Sequence, residues 1–248
     1  TIDNGTRALI LGTVTANGNL TVTAGDSITD SGVITVSGTA SFITDTSDKL
    51  ITLNSQNAIT GQVTFDTTST GGDVYLDNGT TAISLGTISA GDIAGDLTLL
   101  TDADQTISNA ITLNGSGADL SITVDADGDT TKSLTVQAAL TTNAGDITLS
   151  ADDDVIFTDV TLTSANGNIS VTADDDATSD AESGGALTMA NGTIFSAGSG
   201  AITGIADEDI TLGQMTTTNS TASAITLNTA SGNILDGGDT DEDLTAAS

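Results

Sequence analysis

GDITLSADDDVIFTDVTLTSANGNISVTADDD, residues 145–176, is the stretch whose reading decides the fold. It holds three short runs in which apolar and polar residues alternate. These are Ile147-Thr148-Leu149, Val155-Ile156-Phe157 leading into Val160-Thr161-Leu162, and Ile169-Ser170-Val171. Gly- and Asp-rich corners separate them. The stretch then nearly repeats itself: GDITLSADDD at 145–154 returns as GNISVTADDD at 167–176, 22 residues later.

The rest of the chain reads as looser copies. The element [LIV]-[ST]-[LVF], with Gly, Asn or Asp one or two residues before it, recurs at Leu20-Thr21-Val22, Ile34-Thr35-Val36, Ile51-Thr52-Leu53, Leu97-Thr98-Leu99, Leu134-Thr135-Val136 and Ile210-Thr211-Leu212. Period-two alternation over three to five residues is a strand signal, with aliphatics on one face and Thr or Ser on the other. No window carries the helical spacing of apolar residues, so almost no helix is expected. Asn-Gly corners at Asn4-Gly5, Asn78-Gly79 and Asn166-Gly167 tolerate positive φ. Asn-Gly is also a hairpin signal. Against hairpins stand the uneven spacing of the runs and the shortage of large residues to fill a sandwich.

Self-similarity at about 20–24 residues points to a solenoid whose coils stack in parallel. One coil of three short strands cannot bury its few aliphatics alone; stacking piles Ile over Ile and Leu over Leu. The expectation is an all-β parallel β-helix of about 11 coils, roughly 50 Å long. Residues 1–248 form one elongated unit, a segment of a longer repeat protein. The acidic stretch 237–248 reads as a linker or frayed end.

Composition agrees with a thin core. Aromatics make up only 2%, with no Trp, and Cys and Pro are absent. The 34 acids against three bases give a net charge of −31. Nucleic acid and anionic membrane are held by Lys and Arg, so neither is an expected partner. No apolar run is long enough to span a bilayer.

The units GNLTVTAGDSITDSGVITVSG (18–38), GDITLSADDDVIF (145–157) and GNISVTADDD (167–176) resemble the repeat region of large bacterial exoproteins of the filamentous-haemagglutinin type. The resemblance implies a right-handed β-helix, secretion to the cell surface, and an adhesive or filament-forming role. The implied partners are further copies of the chain, stacked end to end, or host and cell-surface glycans or proteins.

Chemical candidates are confined to acidic corners. Asp125, Asp127 and Asp129 place carboxylates at alternate positions, as a calcium loop begins, while Gly128 and Val136 depart from that pattern. Asp152, Asp153 and Asp154, and Asp174, Asp175 and Asp176, form similar clusters. Hard cations take six to eight oxygens, which two adjacent coils can supply, so calcium is the cofactor these nine residues suggest. The competing reading is a set of solvated corners. A calcium-dependent carbohydrate-binding module or polysaccharide-acting β-helix is the functional alternative. No His, Cys or serine elbow supports a triad or a zinc site, and no enzyme is expected. Thr13-Val14-Thr15 and Thr21-Val22-Thr23 resemble ice-binding pairs, but the sequence shows no in-register recurrence of them.

Overall fold

The computed structural model describes residues 1–67, 71–125, 131–174, 184–238, 240 and 242–247. Among these, all strand pairs are parallel and there is no helix, hence none long and apolar enough to cross a membrane. The chain is a parallel β-solenoid of about nine turns. The Asn-Gly corners are bends between faces of one coil rather than hairpin turns; Gly5, Gly79 and Asn166 take positive φ there.

Each coil has three faces. The first face is one ten-stranded sheet that starts at Leu9–Leu11 and ends at Ile225–Thr229. The second face holds a three-stranded sheet, Val14–Ala16 to Ala58–Ile59, and a six-stranded one, Gln105–Ile107 to Ile234–Asp236. The third face holds a four-stranded sheet, Ile2–Asp3 to Val63–Asp66, and a six-stranded one, Ile111–Ser116 to Leu244–Ala246. Between the two halves, the coil after Val74–Asp77 keeps only single bridges, Val63 to Leu85 and Ile88 to Ile111.

Register explains the repeat. On the first face Ile28, Ile51, Val74, Leu97, Leu120, Ile147, Ile169 and Ile202 stack in one inward column. All eight are essentially inaccessible to solvent. Two residues on, Leu53, Leu76, Leu99, Ile122, Leu149 and Val171 form a second column. The residue between the columns points outward, which is why it is Thr or Ser at every rung of these columns but that of Tyr75. Larger rings fill the width of the shaft. Phe42 stacks on Phe65 with centroids 6.0 Å apart, and Phe157 meets Phe195 edge-on at 4.9 Å.

The coils are fewer and longer than the expected eleven. Nine steps from Leu9 to Ile225 cover 216 residues, a mean of 24. Two steps are long: 27 residues from Leu120 to Ile147, and 33 from Ile169 to Ile202. In both, the extra residues fall between strands that keep their register, between Val124 and Leu134 and between Ala173 and Leu187. At about 4.8 Å per rung, nine steps give a shaft of roughly 43 Å. The stretch 237–248 contributes a rung of its own: Leu244–Ala246 pairs with Met215–Thr217.

Truncating Phe157 should open a cavity against Phe195, and Phe157→Ala should cost about 3–5 kcal/mol. The outward Thr148 should tolerate Ala within about 0.5 kcal/mol. Urea unfolding followed by far-UV circular dichroism measures both.

Candidate functional site

The Gly-Asp and Gly-Asn pairs that precede first-face strands have separate jobs. A methyl group on Gly145 would overlap the Ala118 carbonyl, and one on Gly167 would overlap the carbonyl of Gly145. Glycine is therefore needed because successive coils pass backbone against backbone at this corner. The acid or amide that follows caps the next coil. Asp73 Oδ1 accepts from Asp96 N at 3.0 Å, Asp96 Oδ1 from Asp119 N at 2.9 Å, and Asp119 Oδ1 from Asp146 N at 2.7 Å. Asp146 Oδ1 accepts from Asn168 N at 2.7 Å, and Asn168 Oδ1 from Ala201 N at 2.9 Å. Six consecutive rungs are thus linked by five side-chain hydrogen bonds outside the sheet.

The corner between first and second faces is built in two ways. In the first half and where the two halves meet, buried amides do it. Asn57 accepts from Ile34 N at 2.7 Å and donates to Asp30 Oδ2 at 2.8 Å. Asn78 accepts from Ile59 N at 2.9 Å and donates to Ile59 O at 3.1 Å. Gln105 brackets Ile83 in the same way, at 2.6 and 2.8 Å. In the second half, carboxylates take over. Asp104 accepts from Ser133 N, Asp154 from Ala186 N, and Asp209 from Asn233 N, at 3.1, 2.9 and 2.7 Å.

The acids singled out as calcium candidates divide accordingly. Asp154 is one of these caps. Asp153 accepts from the Ser133 hydroxyl at 2.9 Å, and its carbonyl accepts from Asp174 N at 3.3 Å. Asp125 and Asp174 sit at corners with φ of 59° and 62°, a conformation Asp tolerates better than most residues. Asp125 and Asp152 are buried. Asp153, Asp174 and Asp207 come together around Gly184 and Gly185, where a glycine methyl would meet each of their side chains. Asp127, Asp129, Asp175 and Asp176 lie outside the described residues. Among the described residues, no group of three or more acids is placed to hold a metal ion.

Mixed Ser and Thr hydroxyls recur in register on the first face. Ser121 and Thr123, Thr148 and Ser150, and Ser170 and Thr172 form consecutive pairs on three stacked strands. Lower on the same face lies an open groove of about 290 Å³, lined by Leu50, Asn54, Asp73, Tyr75, Asp96 and Thr98 among others. Burial, and secondly the charge of Asp77, hold the Tyr75 phenol above its ordinary range, so it carries its proton at neutral pH. At an adjoining corner Lys49 pairs with Asp26 at 3.2 Å, the one ion pair among the described residues. The backbone N–H of Ser27, and next Lys49, hold the Asp26 carboxyl below its ordinary value. Neither the amide corner nor the groove was found from sequence; a lone Tyr75 in a Thr column was the available signal for the groove.

Asn78→Ala should leave the Ile59 N–H and C=O without their buried partner, at about 1–3 kcal/mol for each group. Asp119→Ala, at an exposed corner, should cost less than about 1 kcal/mol. Denaturant midpoints of the two variants, compared with the parent chain, check the contrast.

Residues 1–66 match a family model described as repeats of unknown function (DUF5649). No curated protein and no solved structure matches the chain.

Proposed function

We propose that the chain is a structural shaft of an extracellular, surface-borne assembly, serving as a stalk or as a filament subunit. The observation that carries this reading is the first face. Its ten strands form one sheet whose hydrogen bonds run along the long axis, without a break from Leu9 to Thr229. Such a shaft is stiff for its mass because each rung adds length and a complete set of backbone bonds together. Supporting features are the acidic, cysteine-free composition and the repeat texture quoted from 18–38 and 145–176. Adhesion, secretion and self-association belong to this proposal.

Negative-stain microscopy over a concentration series tests the proposal. Single rods of about 40–50 Å at every concentration are the stalk outcome. Fibres that lengthen with concentration are the subunit outcome. Globular particles wider than one coil would overturn both.

Calcium at the acidic corners is a second reading, and it rests on the sequence clusters at 125–129, 152–154 and 174–176, part of which lies outside the described residues. It predicts a rise in melting temperature with millimolar calcium that is lost in Asp153→Asn. A parent chain whose melting temperature ignores calcium removes it.

A further inference from the structure

Four of the five aromatic rings, Phe42, Phe65, Phe157 and Phe195, are locked in the core. Tyr75 is the exception; it stands half-buried on the outside of the first face. Its column neighbours are Thr52 and Thr98. Every other rung of that column from Thr29 to Thr226 carries Thr or Ser, so stacking the coils needs no aromatic at this rung. Leu50 is the second anomaly. It occupies the corner position held by Asp73, Asp96, Asp119 and Asp146 in later coils, and it is 42% exposed. The two residues that break their columns flank the same groove.

The rest of that groove is rich in acceptors. Asp73 and Asp96 each commit Oδ1 to the corner ladder. The second oxygen of each takes no hydrogen bond from another described residue, which leaves an acceptor on each of these groove-lining side chains. Asn54 adds an amide and Thr98 a hydroxyl. A ligand that fits must therefore donate hydrogen bonds on one side and offer an apolar surface to Leu50 and Tyr75 on the other. Phosphate, sulfate and carboxylate are excluded by the two carboxylates and by the net charge of −31. A pyranose ring meets both demands, with hydroxyls at its edge and C–H groups on its face.

We propose that the groove at Tyr75 is a binding subsite for a neutral hexopyranose oligosaccharide. Tyr75 and Leu50 receive the C–H face of one sugar, and Asp73 and Asp96 accept from its hydroxyls. Beyond the groove, Ser121 and Thr148 continue the hydroxyl column at about 4.8 Å per rung, with Asp119 and Asp146 at the adjoining corner. A glycan laid along the axis would meet a similar hydroxyl and carboxylate at each rung. This assignment does not depend on the shaft role, nor on calcium.

Isothermal titration of the whole chain against neutral gluco-, galacto- and manno-oligosaccharides tests it. Glucosamine and uronic-acid oligomers serve as charge controls, at about 0.15 M and about 1 M salt. The expected result is binding of at least one neutral series with the same affinity at both salt levels. Tyr75→Thr restores the residue type of its column neighbours and should keep the parent melting temperature while weakening binding about tenfold or more. Tyr75→Phe should retain binding, and Asp73→Asn should weaken it. The proposal is overturned if no neutral oligosaccharide binds, if Tyr75→Thr binds as the parent does, or if only the glucosamine oligomer binds and high salt abolishes it.

Discussion

The described structure answers to one demand: the backbone of each coil must hydrogen-bond the coil above and the coil below in parallel register, a ladder that the first face carries without interruption. That axial ladder fixes the distance between coils. It leaves the narrow interior one option, identical or similar aliphatics in columns, as with Ile147 over Ile169 over Ile202. It also dictates the corners. Where coils turn with backbone against backbone, a side-chain methyl has no room at Gly145 and Gly167. Where the turn leaves an N–H beyond the sheet, a short polar side chain from the previous coil must reach it.

The corners therefore balance two opposing terms. A carboxylate accepting from a backbone N–H forms one of the stronger hydrogen bonds available, about 1.5–3 kcal/mol when shielded from water and less at an exposed corner. Stacking Asp73, Asp96, Asp119 and Asp146 one rung apart sets like charges side by side. At roughly 4.8 Å in water that repulsion is about 0.9 kcal/mol per neighbour. Salt reduces it, and charges two rungs apart already exceed a screening length of about 8 Å. The hydrogen bond outweighs the repulsion only modestly, and Asn168 continues the ladder without the charge. Asn57, Asn78 and Gln105 are buried and fill that place with neutral amides, whereas Asp125 and Asp152 are buried carboxylates at later corners.

Sequence made the shaft legible because its cause is local and repeated. Leu-Thr-Leu alternation states which side chain is inside, and the return of GDITLSADDD as GNISVTADDD states that coils stack. What escaped was non-repetitive. The length of each coil depends on how many residues separate its strands, as between Val124 and Leu134, while the strands on either side stay in register. Asn57 and Gln105 carry no local mark of burial; their role exists only when a neighbouring coil presents Ile34 or Ile83. Acidic triplets read alike in sequence, yet Asp154 caps Ala186 while Asp153 accepts from Ser133. Tyr75 was visible as an odd residue in a Thr position. Its pairing with Leu50 and Asp96 required three coils in register.

Because all described strand pairs run parallel, the molecule has a sense of direction, with chemically unlike top and bottom surfaces. Prolonging the ladder in register joins one copy's top to another's bottom. That contact is heterologous: no twofold axis relates the partners, and nothing closes the series into a ring unless the shaft bends. Polarity of the strand thus becomes polarity of any fibre, with one end that grows by offering N-terminal coils and another by offering C-terminal ones.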